Sequence, residues 1–364
     1  MLLFLICNNG LPSSSPRFTP LTMTQSTPIR IGQVGIGYWG RNLLRNFWGL
    51  PDVQVVQACD QQAEVLAGVA RQYPGLTTTH RFDDLLENPD LQGIVIATET
   101  PQHFALAEAA LRAGKHVFVE KPMAQTNAQA ERLVALAEAQ DLRLMVGHLL
   151  LYHPAFTYVD DLIHSGALGE IYYLYSMRVN LGIIRQRENA LESLAPHDLS
   201  VALQFLDAKP LAVSAQGQAY LQEGIEDVAF ATVFFEGGKL AHLHTSWLDP
   251  HKIRKVTVVG NKKMAVIDDV ESIEKVRLYD KGVTLKPGEQ HYAAYAEAMT
   301  IRSGDINIPK IDMKEPLRLE CAHFIDCIRT GATPRSDGRN GRSVVRMLEA
   351  AHRSLANKGV AVEL

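Results

Sequence analysis

The stretch Ile29–Phe47, IRIGQVGIGYWGRNLLRNF, decides the fold of the first half of this 364-residue chain. Its beginning, IRIGQV, alternates as a β-strand does, and YWGRNLLRNF has the apolar spacing of an amphipathic helix. Between them, Gly35, Gly37 and Gly40 form the pattern G-x-G-x-x-G. Alone, this pattern is typical both of a dinucleotide-binding turn and of any strand–turn–helix unit that needs small residues. The neighbouring segments decide between the two.

Repeated strand and helix patterns continue from residue 29 to residue 148. GIVIAT at 93–98 is a continuous apolar run, which is typical of a strand buried on both faces. Repeated β-α-β units predict an α/β fold with a doubly wound parallel sheet, the Rossmann arrangement. The other predicted strands are 53–60, 116–120 and 142–149, and the predicted helices are 63–73, 103–114 and 127–140.

A different pattern begins at residue 149. A helix at 154–169 is followed by long alternating segments at 170–181, 210–221, 227–248 and 252–269. Gly-Gly and Gly-Asn inside the last two segments indicate hairpins. We therefore predict a second α/β domain over 149–364, with a large, mostly antiparallel open sheet that serves substrate binding and oligomerisation. Two C-terminal helices, at 315–331 and 341–355, are expected to pack back on the first domain, and the open sheet face predicts a homo-oligomer, a dimer or a tetramer.

Composition limits the partners of the chain. Apolar residues make up 46% and charged residues 21%, which is typical of a globular protein with substantial cores. The 36 basic and 40 acidic residues give a formal charge of −4, which offers no electrostatic basis for binding nucleic acid. No apolar run is long enough to span a bilayer. We expect neither a nucleic-acid nor a membrane partner.

The cysteines and the first 28 residues concern location rather than fold. Four cysteines form neither a disulfide framework nor a zinc pattern, so we expect reduced thiols, no bound metal and a cytoplasmic protein. Residues 1–28 begin with a short apolar run and continue as a Ser/Pro/Thr-rich segment. They are interpreted as a disordered leader, or as sequence that precedes a true start at Met23.

An acidic residue after the second strand indicates that the glycine pattern is a dinucleotide-binding turn. Asp60 lies twenty residues after Gly40. A carboxylate there accepts both ribose hydroxyls of NAD and repels the 2′-phosphate of NADP. The alternative role for Asp60 is a helix N-cap, and one carboxylate can serve as both. We predict NAD as the cofactor. The predicted cofactor-binding residues are Gly35, Ile36, Gly37, Tyr38, Trp39, Gly40, Asp60, Thr98, Thr100, His103, Glu120 and Lys121; an ordinary helical role for His103 is equally compatible with the sequence.

The segment VFVEKPMA at 117–124 carries the chemistry. A buried strand ends at Glu120 and Lys121, and Pro122 prevents its continuation. A lysine at the carboxyl end of a strand, beside a nicotinamide site, can donate a hydrogen bond to a reacting hydroxyl. It can also share in proton transfer if burial lowers its pKa. The alternative is a surface lysine in a salt bridge.

The glycine pattern, EKP and a later histidine on a helix resemble the Gfo/Idh/MocA oxidoreductases, named for glucose–fructose oxidoreductase and inositol dehydrogenase. The resemblance covers residue 29 to the end. It implies that Lys121 lies beside nicotinamide and substrate, and that His197 in ENALESLAPHDLSVALQFL (188–206) faces the cofactor as the catalytic base. Adjacent helical residues point about 100° apart, so Asp198 is expected to cap or orient rather than to share the reacting atom with His197. Many members carry an acidic residue where this chain has Ser193, so the proton chemistry rests on His197 and Lys121.

Three segments narrow the resemblance: VGHLLLYHPAF, RVNLGIIRQRENALESLAPHD and HTSWLDPHKIRKVTVVG. They resemble members that oxidise C3 of a UDP-linked N-acetylhexosamine and pass the 3-keto product to an aminotransferase, for a diamino sugar of lipid A or another surface glycan. UDP-N-acetylglucosamine is favoured over its 6-carboxylated uronate. A uronate would use a cation near C6, from Arg178, Arg185 or Arg187, but arginine holds a diphosphate equally well.

Other functions stay open at this stage. A free polyol or aldose dehydrogenase of the same family is one, and a non-catalytic nicotinamide-binding regulator is another. Such a regulator would need the glycine turn but would not need both Lys121 and His197. The candidate substrate-binding residues are Lys121, His148, Asn180, Arg185, Ser193, His197 and Lys252.

Overall fold

The computed structural model of the chain describes residues 27–285 and 299–364. Residues 1–26, which make up most of the segment interpreted as a leader and include Met23, lie outside the described residues. Among the helices within the described ranges, none combines the length and the apolar composition that crossing a bilayer requires.

The first half is a six-stranded parallel sheet with helices on both faces, as predicted. Its strand order is β3-β2-β1-β4-β5-β6. From β1 the chain builds one side of the sheet with β2 and β3 and then crosses to the other side for β4, β5 and β6. Ligands of open α/β sheets bind at this reversal of strand order. The strands are β1 (Ile29–Val34), β2 (Val53–Cys59), β3 (Thr77–Thr79), β4 (Gly93–Ile96), β5 (His116–Val119) and β6 (Leu144–Val146); the helices are α1 (Tyr38–Trp48), α2 (Ala63–Gln72), α3 (Asp83–Leu86), α4 (Thr100–Arg112) and α5 (Asn127–Ala139).

The second half contains a nine-stranded sheet, which confirms the predicted mostly antiparallel open sheet. Its order is β14-β13-β12-β11-β7-β10-β9-β8-β15, and β7 and β10 form its one parallel pair within the described residues. The hairpin between β9 and β10 turns through Gly237 and Gly238, both at φ 74°, where glycine is favoured. The elements are α6 (Pro154–His164), β7 (Ile171–Val179), α7 (Ala190–Leu206), β8 (Pro210–Gln218), β9 (Val228–Phe235), β10 (Leu240–Ser246), β11 (Ile253–Gly260), β12 (Met264–Asp268), β13 (Val276–Leu285), β14 (Met299–Asn307), α8 (Pro316–Thr330), α9 (Gly338–Ala356) and β15 (Val362–Glu363).

The two faces of this second sheet differ in character. Along β7, the even-numbered Leu174, Ser176 and Arg178 are buried on the face that α7 covers, whereas Tyr173 and Tyr175 are exposed on the other face. This alternation has the period of two expected for a strand with one covered face. The outer face is therefore aromatic and open.

Helices α8 and α9 connect the two halves. α8 packs on α1 and β1, where the ring of Phe324 makes edge contacts with Phe47 and Phe118 at centroid distances of 6.3 Å and 5.7 Å. α9 packs on α5 and β6 of the first sheet and on α7 and β8 of the second. One apolar core consequently runs through both halves. It holds the carboxyl edge of the first sheet against α7.

Candidate active site

The fold requires two of the three glycines in the turn and leaves the space beside the third one open. Gly35 has φ 86°, and a Cβ there would lie 2.6 Å from the carbonyl oxygen of Ala97; a Cβ at Gly40 would lie 2.1 Å from the carbonyl oxygen of Gly35. The fold itself requires these two glycines. A Cβ at Gly37, the N-cap of α1, would meet none of the described atoms within 4 Å. Gly37 is therefore open to a ligand, as expected where pyrophosphate approaches a helix N-terminus.

Gln33 holds this turn in shape. Its side-chain Nε2 donates hydrogen bonds to the carbonyl oxygens of Gly35 (3.1 Å) and Gly40 (2.7 Å). Gln33 is buried in β1, where the strand pattern otherwise calls for an apolar residue. Sequence reasoning missed this role, although a glutamine inside IRIGQV was the available signal.

Asp60 contacts the glycine turn and the beginning of α2 together. Its Oδ2 accepts a hydrogen bond from the backbone N–H of Ile36 (2.7 Å), and its Oδ1 accepts one from the N–H of Gln62 (2.9 Å). A carboxylate has about four acceptor positions, so two remain for hydroxyl groups. Both predicted roles, ribose binding and satisfying a helix N-terminus, are compatible with this geometry. Tyr38, the first residue of α1, is exposed beside the turn.

Thr98 and Thr100 lie at the carboxyl end of β4, but His103 does not line the groove. Thr98 Oγ1 is enclosed without a hydrogen-bond partner among the described residues, and Thr100 begins α4. His103 is 1% exposed, with Nδ1 2.8 Å from the carbonyl oxygen of Pro122 and Nε2 3.0 Å from that of Thr98. Its prediction as a cofactor contact is corrected: it joins the turn after β4 to the EKP turn.

Glu120 connects the glycine turn to Lys121. The indole N–H of Trp39 donates to Glu120 Oε1 at 2.5 Å, and the N–H of Lys121 donates to Oε2 at 3.2 Å. A Cβ at Gly147 would lie 2.8 Å from Oε1, so glycine is needed behind the carboxylate. Burial raises the pKa of Glu120 to about 7, against the opposing effects of the Trp39 hydrogen bond and the Lys121 charge.

Lys121 reaches from the first domain to helix α7. Its Nζ donates to the backbone oxygen of Ser193 at 3.0 Å, rather than to the hydroxyl group of that residue. Burial lowers the pKa of Lys121, while Glu120 and Glu188 oppose the shift. This contact brings the EKP segment and the helix that carries His197 to one place.

A capping box and a proline shape the beginning of α7. Asn189 and Glu192 form a capping box, so Glu192 serves the helix and does not replace the acid missing at Ser193. Pro196 lies inside the helix and has no N–H, which leaves the carbonyl of Glu192 without its usual donor. Pro196 thus leaves one backbone carbonyl free in the turn that also contains Ser193.

His197 follows this proline and is partly buried. Its Nδ1 is enclosed without a hydrogen-bond partner in the described part of the chain. Burial, followed by the charges of Lys121 and Arg178, lowers the pKa of His197 well below its ordinary value. The ring is therefore neutral near pH 7, the form that can accept a proton.

Asp198 is committed to an internal ion pair. It is 1% exposed, and its two oxygens accept from Arg178 Nε (2.6 Å) and Nη2 (3.1 Å). This agrees with the expectation that Asp198 orients and does not share the reacting atom with its neighbour. It also corrects the assignment of Arg178 as a cation for a uronate, because its guanidinium is already bound bidentately.

His148 lies beneath the site and not on its surface. It is 0% exposed, and neither ring nitrogen has a hydrogen-bond partner among residues 27–285 and 299–364. Burial, with the charge of Lys121, lowers the pKa of His148 to about 3. The prediction that His148 contacts the substrate is corrected: it is a buried, neutral residue behind Lys121.

The remaining predicted substrate residues lie at the ends of β7 and β11 and in the loop before α7. Asn180 follows β7 and donates its N–H to the carbonyl oxygen of Ser246 (3.1 Å), and Lys252 is exposed just before β11. Arg185 forms an ion pair with Glu188 (3.3 Å). Arg187 has an 87% exposed side chain, 3.6 Å from Glu99, and so lies outside the enclosed part of the site.

Comparison with known proteins places this site in a family. A model described as an oxidoreductase family with an NAD-binding Rossmann fold matches residues 29–148, and one described as a GFO/IDH/MocA C-terminal domain matches residues 156–266. The chain is 27% identical over 323 residues to UDP-N-acetylglucosamine 3-dehydrogenase of Acidithiobacillus ferrooxidans, covering 87% of this chain and 94% of that protein. It is 25% identical over 350 residues to D-apiose dehydrogenase of Paraburkholderia graminis, covering 91% and 88%.

A solved structure of the first relative supports the same fold. UDP-N-acetylglucosamine 3-dehydrogenase GnnA of Acidithiobacillus ferrooxidans superposes with a TM-score of 0.76 at 24% identity, covering 91% of this chain and 99% of that one. At this identity the superposition shows the fold alone. The two family models confirm the resemblance to the Gfo/Idh/MocA family that was drawn from the sequence, and they confirm NAD as the cofactor. The chain belongs to the Gfo/Idh/MocA oxidoreductases, with an NAD-binding Rossmann domain at residues 29–148.

Proposed function

We propose that this protein is an NAD-dependent dehydrogenase that oxidises the C3 hydroxyl of a UDP-linked N-acetylhexosamine, with UDP-N-acetylglucosamine favoured over its 6-carboxylated uronate. The observation that carries the proposal is the contact between Lys121 Nζ and the carbonyl oxygen of Ser193, which joins the EKP turn to the helix of His197 at the cofactor edge of the sheet. The relative from Acidithiobacillus ferrooxidans supports the substrate class.

The side chains of His197 and Lys121 have complementary tasks in this reaction. Bound NAD supplies the hydride acceptor. His197, kept neutral by burial and neighbouring charges, takes the proton of the C3 hydroxyl. Lys121 donates a hydrogen bond to the same oxygen and stabilises the charge that develops there. The lowered pKa of Lys121 lets it share in that proton transfer.

The proposal includes a place in metabolism and an assembly state. We expect a cytoplasmic enzyme whose 3-keto product is consumed by an aminotransferase, for a diamino sugar of lipid A or another surface glycan. The open face of the second sheet favours a homo-oligomer, because Tyr173, Tyr175, Phe230 and Phe234 are all exposed there. Exposed aromatic patches of this kind are typical of protein–protein interfaces.

The test follows NADH formation by its absorbance, with UDP-N-acetylglucosamine and with its uronate in parallel assays. A carbonyl-trapping reagent or the aminotransferase must be present, because oxidation at C3 is uphill. Lys121→Ala and His197→Ala should each lower kcat about 100-fold or more while the Kd for NAD changes less than threefold. The exposed Lys209→Ala and His164→Ala serve as matched controls.

Two other outcomes would replace the proposal. Turnover of a free aldose or of inositol, with neither UDP-sugar oxidised, would favour a free-sugar dehydrogenase, as the relative named D-apiose dehydrogenase suggests. An unchanged ligand response in Lys121→Ala and His197→Ala, with no turnover of any sugar, would favour a nicotinamide-binding regulator.

A further inference from the structure

Arg254 lies beside the catalytic helix, on strand β11. In the antiparallel pair of β7 and β11 its direct partner is Arg178. Side chains at opposed positions of such a pair share one face, with Cβ atoms about 5 Å apart. Arg178 binds Asp198, the neighbour of His197. The register therefore places Arg254 on the face of the sheet that α7 covers, at the level of the proposed base.

The two arginines differ in how their charge is compensated. Arg178 receives both oxygens of Asp198. The acid nearest Arg254 is Asp269, whose Oδ2 is 3.9 Å from Nη1, too far for a hydrogen bond. The other oxygen of Asp269 is 3.2 Å from His153 Nε2. Asp269 is thus shared, and it holds Arg254 only loosely.

The donors of Arg254 are also uncommitted. A guanidinium carries five N–H groups, and none of them makes a hydrogen bond to the described part of the chain. Its Nε is enclosed without a partner. The side chain as a whole is 35% exposed, against 5% for Arg178, so its terminal nitrogens are the part that a ligand can reach. Such a buried stem with an open fork suits bidentate binding of an oxyanion.

We propose that Arg254 binds an oxyanion of the substrate and so determines that the substrate is a charged sugar derivative. This inference rests on the proposed function. A UDP-N-acetylhexosamine presents a diphosphate, and its uronate also presents a carboxylate at C6; both offer the paired oxygens that a guanidinium binds. The sequence offered Arg178, Arg185 and Arg187 as candidates for binding this anion. The proposal assigns that role to a fourth arginine, Arg254.

The test compares Arg254→Gln and Arg254→Lys with Arg277→Gln, a control in the same sheet whose arginine is paired with Glu274. We expect Arg254→Gln to raise KM at least tenfold, by a larger factor than kcat falls. A rise for the uronate alone identifies the carboxylate as the bound group. A rise for both UDP-sugars, with weaker calorimetric binding of UDP, identifies the diphosphate. Arg254→Lys keeps the charge and loses the fork, so we expect at least a threefold rise in KM. It serves as the test if Arg254→Gln does not fold.

The inference is overturned if both KM values and the Kd for UDP stay within twofold of wild type in the folded Arg254 variants. Failure of the proposed function is a separate result, since it would show as wild-type protein that oxidises neither UDP-sugar. In that case the binding of UDP and of glucuronate to wild type and to Arg254→Gln decides the inference. Equal binding, or no binding to either, would refute it.

Discussion

Alanine substitution at two glycines of the same turn should separate folding from cofactor binding. Gly40→Ala places a Cβ 2.1 Å from the carbonyl oxygen of Gly35, whereas ordinary van der Waals contact begins near 3.4 Å. The obstructing atom belongs to the backbone, so no side chain can move away. At Gly37 the Cβ meets none of the described atoms within 4 Å, and φ is −67°, which alanine adopts readily.

The expected magnitudes differ accordingly. The overlap at Gly40 should lower the free energy of unfolding by about 3 kcal/mol, at the upper end of the usual range for overpacking. Gly37→Ala should cost only about 0.5 to 1 kcal/mol, because alanine is a poorer N-cap than glycine. If pyrophosphate approaches the backbone at Gly37, the new methyl group removes at least one charge-assisted hydrogen bond, worth about 1.5 to 3 kcal/mol. The Kd for NAD should then rise roughly 10- to 100-fold.

Calorimetric titration with NAD and urea unfolding of the free protein measure the two effects separately. The stabilisation by a fixed excess of NAD should fall in Gly37→Ala by the same amount of free energy that its weaker binding predicts. A folded Gly37→Ala that binds NAD within twofold of wild type would refute the reasoning, because the cofactor would then not pass close to Gly37. Wild-type stability of Gly40→Ala would refute the packing argument independently.

Three further predictions concern the buried charges of the site. Asp198→Asn leaves the guanidinium of Arg178 without its carboxylate and should lower the free energy of unfolding by about 3 to 5 kcal/mol in urea, while Arg178→Met with Asp198→Leu should recover most of the loss; equal losses in the single and double variants would contradict this. Because the pKa of Glu120 is raised from 4.5 to about 7, the folded state keeps a proton that the unfolded chain releases, so the contribution of Glu120 to stability should fall by about 3 kcal/mol as pH rises through this window. The buried histidines titrate with the opposite sign, so the test is the difference in free energy of unfolding between Glu120→Gln and wild type: it should grow by about 3 kcal/mol between pH 4.5 and 8, and a constant difference would be evidence against it. Trp39→Phe removes the hydrogen bond that favours ionised Glu120, so the midpoint of the same pH profile should move upward, and an unmoved midpoint would show that the bond contributes nothing.

Much of the fold was predictable because its signals are local. The alternation of apolar runs with helical spacing between residues 29 and 148, and the hairpin glycines Gly237 and Gly238, depend only on side-chain periodicity and backbone freedom within a few residues. The pairing of a glycine turn with Asp60 is almost as local, since one β-α-β unit brings them together.

The same sequence could not rank polar residues that look alike. His103 and His148 have the spacing of site residues, yet the ring nitrogens of the first lie 2.8 Å and 3.0 Å from two backbone carbonyl oxygens and the second is fully buried behind Lys121. Whether a histidine faces a groove or the interior depends on which distant element covers it, and no short stretch of sequence contains that information. Helix α8, more than 300 residues from the start, packs on the turn Leu149–Tyr152 that directly follows His148.

The sequence by itself determined the α/β class and the dinucleotide turn, and it predicts Lys121 and His197 as the chemical pair, because each of these belongs to a short motif. Only the tertiary structure decided which arginine is uncommitted. Arg178 and Arg254 become neighbours through the register of β7 and β11, and Arg178 alone finds both oxygens of Asp198. Register and ion pairing are long-range properties of the packed chain, so the uncommitted charge of Arg254 emerges only once the second sheet has formed.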